Sequence, residues 1–213
     1  MKIAIDVDDC ISNTSEVDFA TCYEYSKKLL SNRTIQKHYV NDFHNAPTIF
    51  GLTKEQDDDF YIKQRKQCIE QDLIKPKVFA GKYINQLLQD GYEVIILTSR
   101  GDMYWGDALI ETQKWLAKYG INYTQLIANS GSKGEFCKKN NVDLMIDDNL
   151  KYIKQCNDVG VRSITFDNNY NPKYYTEELR NYSSPLNCFA SCWSEVYDKI
   201  KELDINKEDI ELI

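Results

Sequence analysis

Three aspartates, Asp6, Asp8 and Asp9, fall within four positions in the opening stretch KIAIDVDDCI. Carboxylates this close together can divide chemical work: an ionised one acts as nucleophile or metal ligand, and a protonated one acts as an acid. The residues before them place Ile3, Ile5 and Val7 on one side and Ala4 on the other, the alternation of a β-strand rich in branched side chains. The acids then stand at a strand's C-terminal end, the edge where open α/β sheets bind ligands. A plain turn also favours Asp, because its side chain bonds nearby backbone N–H groups. The remaining polar groups must decide between the two.

Two further apolar runs end in the same way. VIILTSR closes on Thr98, Ser99 and Arg100, and LMIDDN closes on Asp147 and Asp148. Just before the latter, SGSKGEF puts Lys133 at the start of a short helix, where its ammonium and the free helix N–H groups can both face an anion. The carboxylates and strand-end carbonyls are hard oxygen ligands suited to Mg2+, while Lys133 and Thr98 supply charge and a donor for phosphoryl oxygens.

In this order the four stretches resemble the motifs of the haloacid dehalogenase (HAD) superfamily of phosphohydrolases: D-x-D in DVDDC, Thr after the hydrophobics of VIILTSR, Lys in SGSKGE, and Asp-Asp in LMIDDN. The resemblance covers roughly Met1 to Phe166 apart from an insertion. It implies an α/β, Rossmann-like three-layer parallel sheet with a helical cap. Asp6 would be the nucleophile and Asp8 the general acid and base. Thr98, Ser99 and Lys133 would bind the phosphoryl group. Mg2+ would be held by Asp6, Asp8 through its backbone carbonyl, and Asp147 or Asp148, whose adjacency leaves the choice between them open. Asp9 reads as a turn residue. Cys10 departs from the family's usual Thr or Val and reads as a small packed group.

The elements that must bring these residues together can be read from periodicity. SNTSEVDFATCYEYSKKLL predicts a helix capped by Thr14 or Ser15, with Val17, Ala20, Tyr23 and Leu30 on its apolar face. Thr53 and Gln56 form a capping box that opens a second, polar helix. From Pro76 onward helices and strands alternate, giving five strands and a final helix bearing Trp193, Val196, Tyr197, Ile200 and Leu203 at helical spacing. The core domain is expected to span 1–11 and 76–213, with 12–75 as a helical cap, since about 65 residues are too many for a plain loop. A cap closing over the site implies a small, enclosed substrate. Cap and motif layout resemble the 5'(3')-deoxyribonucleotidase branch (cytosolic type C), which implies a nucleotide substrate and makes Tyr39, Phe43, His44 and Phe50 candidate base contacts. Arg100 and the DMYWGD loop are candidate substrate contacts.

Composition narrows the classes further. The chain has 213 residues and a formal charge of -7, without a basic stripe that would favour nucleic acid. No apolar run approaches the roughly 20 residues of a membrane helix. The seven cysteines contain no C-x-x-C pair, which suits reduced thiols and a cytoplasmic location. Cys188 and Cys192 lack histidine partners for a zinc site, since His38 and His44 are remote. Oligomerisation stays open. The rival readings are a phosphatase for sugar phosphates or nucleic-acid termini and a non-catalytic ligand-binding module of the same fold. The presence of both Asp6 and Asp8 argues against the latter. An aspartate-based dehalogenase would not need Asp8, and a signalling receiver domain would place the acid pair first.

Overall fold

The computed structural model describes residues 1–29, 50–167 and 181–211. Tyr39, Phe43, His38 and His44 lie outside them. Among the described residues, six strands form one all-parallel sheet in the order β3-β2-β1-β4-β5-β6. They are β1 (Lys2–Ile5), β2 (Glu93–Leu97), β3 (Gln125–Ile127), β4 (Leu144–Asp147), β5 (Arg162–Phe166) and β6 (Asn187–Ala190). The central runs IAI, VIIL and LMI are apolar on both faces because both faces are covered by helices.

The alternation of β1 decides which layer each side chain enters. Ile3 and Ile5 join one core cluster with Ala80, Ile84 and Leu87 of α3 (Ala80–Gln89), Leu116 of α5 (Ala108–Lys118), and Trp193, Val196 and Ile200 of α8 (Trp193–Glu211). Ala4 points the other way, to Cys137 of α6 (Lys133–Lys139) and Cys156 of α7 (Leu150–Asp158). The result is the three-layer α/β fold that the sequence predicts. β1 lies between β2 and β4, with Ile5 level with both Ile96 and Ile146, so the C-terminal ends of these three strands meet at a topological switch point.

Several details differ from expectation. β6 is a sixth strand in the segment read as turn-rich. It has only four residues without apolar alternation, and its pairing with β5 through backbone groups, rather than a local pattern, makes it a strand. A single-turn helix, α4 (Asp102–Trp105), follows β2. The first long helix, α1 (Thr14–Leu29), buries Thr14, Asp18, Cys22 and Ser26, while Ala20 and Tyr23 of the expected apolar face are exposed. The buried stripe is small and polar because Asp18 has an arginine partner on the second helix, α2 (Lys54–Glu70), and Cys22 packs with Phe50 and Phe60. The Thr53–Gln56 capping box of α2 is formed as the sequence implies.

Candidate active site

The chain leaves β1 in a tight turn. Asp6 donates its N–H to Ile146 O (2.9 Å), and Ile11 and Ser12 both donate back to Val7 O (2.9 Å each). Closing this turn puts Asp9 at φ +62°, a left-handed conformation that Asp tolerates better than most residues. Asp9 accepts from the Ser15 N–H (2.9 Å) and the Ser15 hydroxyl, which ties the turn to the start of α1. The Trp193 indole donates to Cys10 O (3.0 Å), fixing the turn from α8 as well.

Lys133 brings two strand ends together. It is the first residue of α6, behind the N-cap Ser132, whose hydroxyl accepts from the Glu135 N–H (3.3 Å). Its ammonium donates to Asp6 Oδ1 (2.5 Å) and Asp147 Oδ2 (2.7 Å) and lies 4.4 Å from the centre of the Tyr152 ring. Burial disfavours that charge, but the two carboxylates outweigh it and hold the ammonium above its ordinary pKa. Asp147 Oδ1 accepts from the Asn149 N–H (2.8 Å), so both oxygens of Asp147 are engaged. Burial pushes the Asp6 carboxyl up to about 7 despite Lys133, with Asp147 and Asp8 adding repulsion. Asp148 is raised well above the usual range, first by burial and then by Asp9, Asp147 and Asp6.

Asp8 is held differently. Arg100 grips it with a two-point fork, Nε to Oδ2 (2.9 Å) and Nη2 to Oδ1 (2.7 Å), and the Thr14 hydroxyl donates to Oδ1 (2.6 Å). Burial alone would raise this carboxyl, but Arg100 reverses the shift and holds it down to about 2. The third guanidinium nitrogen, Nη1, donates to the Thr112 hydroxyl (3.3 Å), and the guanidinium carbon sits 3.7 Å from the centre of the Trp105 ring. Arg65 of α2 lies 4.5 Å from the same ring centre and donates from Nη2 to Asp18 Oδ2 (2.6 Å). Trp105 thus lies against both guanidinium groups.

These groups line one cavity of about 240 Å³, together with Asp9, Thr98, Ser99, Tyr61, Tyr104 and Tyr152. Thr98 is buried, its N–H bonded to Ile127 O (3.0 Å) and its hydroxyl accepting from the Arg100 N–H (3.3 Å). Ser99 is exposed at the rim, its hydroxyl donating to Ser130 O (3.3 Å). All the candidate residues at strand ends therefore meet in one place. Phe50 does not join them; it is buried against Phe19 and Tyr23. Tyr104 and Trp105 of the DMYWGD loop line the cavity, whereas Arg65, Asp18, Thr14 and Tyr61 escaped the reading of the sequence as cavity residues. A lone arginine inside KQRKQ carries no local mark of burial, and Asp18 and Thr14 are distinguishable only as members of one i, i+4 stripe.

The walls carry six carboxylates (Asp6, Asp8, Asp9, Asp18, Asp147, Asp148) against three cations (Arg65, Arg100, Lys133). Asp6, Cys10 and Asp148 each offer a ligand atom, all within 4.8 Å of one another. The excess of buried carboxylates, with Asp6 and Asp148 shifted upward first by burial and then by neighbouring acids, fits a hard divalent cation such as Mg2+. Cys10 is buried and held as a thiol, its pKa raised well above normal by burial first and then by Asp148 and Asp6.

No protein-family model matches the sequence, and no curated protein matches it. Solved structures do match the fold. A haloacid dehalogenase-like family hydrolase from Streptococcus pneumoniae superposes with a TM-score of 0.65 at 14% identity, covering 93% of this chain and 97% of that one. A haloacid dehalogenase-like family hydrolase from Xanthomonas campestris gives 0.62 at 14% identity over 97% and 92%. A protein described as a predicted phosphoglycolate phosphatase from Haemophilus somnus gives 0.59 at 13% identity over 93% and 96%. The similarity extends across nearly the full length of each chain and concerns the fold.

Proposed function

We propose that this chain is a Mg2+-dependent phosphomonoester hydrolase of the HAD superfamily, working through a phospho-aspartyl intermediate. The observation that carries the reading is the convergence of Asp6, Asp8, Thr98, Lys133 and Asp148 on one cavity at the switch point of the sheet. The fold likeness to HAD-like hydrolases and to a protein described as a phosphatase supports it.

In the first half of the reaction an Asp6 carboxylate oxygen attacks phosphorus, the ester P–O bond breaks, and the leaving oxygen takes a proton from Asp8. In the second half water attacks the same phosphorus and gives its proton to the Asp8 carboxylate. The phospho-aspartyl P–O bond breaks, freeing Asp6 and inorganic phosphate. Asp8 in its Arg100-bound, ionised form suits this second half. A phosphoryl dianion arriving beside it raises its pKa by like-charge repulsion and so favours the protonated form needed for the first half. Lys133 and Thr98 bind phosphoryl oxygens and offset their developing charge. Asp6, Asp148 and the Asp8 carbonyl would hold Mg2+, with Asp147 engaged by Lys133 instead. The bound ion would keep Asp6 ionised and neutralise phosphoryl charge.

The segment 12–75 serves as the cap, presenting α1 and α2 to the cavity. The substrate class following from the resemblance is a (deoxy)nucleoside 5'-monophosphate, and Tyr61 and Tyr104, which line the cavity, are the proposed base contacts. A cytoplasmic setting is consistent with the free cysteines. Phosphate release by wild type and Asp6→Asn, with Mg2+ and with chelator, tests the reading against nucleotides, sugar phosphates and 4-nitrophenyl phosphate. Mg2+-dependent release that vanishes in the variant supports a hydrolase, and preference for nucleotides supports the substrate class. Full activity in Asp6→Asn would remove the nucleophile from the scheme.

A further inference from the structure

Each of the three guanidinium nitrogens of Arg100 already donates a hydrogen bond, two of them to Asp8 and one to Thr112. We propose that Arg100, braced by Trp105, is a positioning residue that fixes the Asp8 carboxylate and leaves only its Oδ2 able to exchange a proton with the reacting oxygen. An ionised carboxylate has about four lone-pair sites. On Asp8, Oδ1 accepts from Arg100 Nη2 and Thr14 Oγ1, and Oδ2 accepts from Arg100 Nε. Three sites are taken, and the fourth belongs to Oδ2.

A planar fork fixes both the position and the plane of a carboxylate, which a lysine ammonium cannot do. The fork is itself immobilised. Arg100 is buried, stacked 3.7 Å from the Trp105 ring centre and tied at Nη1 to Thr112 of α5. Trp105 also lies 4.5 Å, ring centre to guanidinium carbon, from Arg65, which α2 supplies and Asp18 of α1 holds. The brace on the acid-base residue is thus built jointly from the strand-end loop and the inserted helices, so packing of α1 and α2 on α4 bears directly on where Asp8 points. General acid catalysis depends steeply on this placement, since a proton donor must stand within hydrogen-bond reach of the oxygen it serves.

The inference rests on the phosphomonoester-hydrolase reading and is tested by the basicity of the leaving group. The probes are 4-nitrophenyl, phenyl and benzyl phosphate. The 4-nitrophenolate ion departs without a proton, whereas the benzyl alkoxide needs one. In Arg100→Lys, which keeps the charge but not the fork, kcat/KM is expected to fall about tenfold or more further on benzyl phosphate than on 4-nitrophenyl phosphate. Trp105→Leu is expected to steepen the same dependence to a smaller degree, and it decides the matter alone if Arg100→Lys fails to fold by circular dichroism. An equal loss on all three esters assigns Arg100 and Trp105 a merely structural role and overturns the proposal, as does no loss on any. Wild-type protein silent on all three would sink the hydrolase reading itself, a result distinct from an equal loss.

Discussion

Lys133 Nζ donates to Asp6 Oδ1 across 2.5 Å although 127 residues separate the two in the chain. The same ammonium bonds Asp147, so one buried cation serves two buried acids. Replacing Lys133 with Met keeps the apolar stem and removes the charge, leaving both carboxylates without their cation. Breaking a buried ion pair in this way costs about 3–5 kcal/mol. Urea unfolding is expected to report a loss of that order, and phosphate release is expected to be abolished alongside. A variant of wild-type stability would mean that the two acids take up protons without cost.

Asp6 and Asp8 are expected to fail differently. Asp6→Asn removes the attacking oxygen and should lower turnover by about 10⁴-fold or more. Asp8→Asn removes acid and base together, and should lower it by about 10² to 10⁴-fold. With 4-nitrophenyl phosphate the first half needs little acid, so Asp8→Asn should release a burst of roughly one equivalent of 4-nitrophenolate before stalling. Rapid mixing distinguishes this from a uniform slow release, which would argue against a covalent intermediate that Asp8 helps to hydrolyse.

Gly134 is irreplaceable for a steric reason. A Cβ added there would lie 2.2 Å from Gln155 O and 2.6 Å from its carbonyl carbon, backbone atoms of α7 that cannot yield independently. Gly134→Ala should force α6 away from α7, costing about 1–3 kcal/mol or more, and displace the adjacent Lys133 from its acids. Gly131→Ala, with nothing within 4 Å of the new Cβ, is the control and should be close to neutral. Equal stabilities of the two variants by urea unfolding would contradict the close contact.

Stability should depend on pH through Asp18. Burial pushes its carboxyl from the ordinary 3.8 up to about 6, against the pull of Arg65. The folded protein therefore holds this proton more tightly than the unfolded chain does. The resulting stabilisation is fully present below about pH 4 and is lost as the pH rises through about 6, amounting to about 3 kcal/mol. The unfolding free energy of wild type relative to Asp18→Asn is expected to fall across that window and level off above it. A difference that stays constant from pH 4 to 7 would show that Asp18 titrates normally.

Local pattern was enough to recover β1, β2 and β4, because strands covered on both faces must be apolar throughout and IAI, VIIL and LMI leave no other reading. The Thr53–Gln56 cap was equally legible, since its reciprocal bonds span only three residues. The buried face of α1 was not. Its stripe of Thr14, Asp18, Cys22 and Ser26 is attractive only once Arg65, 47 residues from Asp18, is in place to receive the acid. β6 was hidden for a related reason, as four residues at a sheet edge gain their structure from a neighbour's backbone.

The sequence by itself determined that acids and a threonine end successive strands of an α/β chain and that a lysine opens one of its helices, because hydrophobic periodicity and the position of polar residues at its breaks are local properties. It could not apportion their tasks. Which of Asp147 and Asp148 bonds Lys133, why the Asp8 carboxyl is pulled below the usual carboxylate range while Asp6 is pushed above it, and that Arg100 turns toward Asp8 beside Trp105 were decided only by tertiary structure. Charge energetics in a buried site depend on distance and on excluded water, and both are set by residues far apart in the chain.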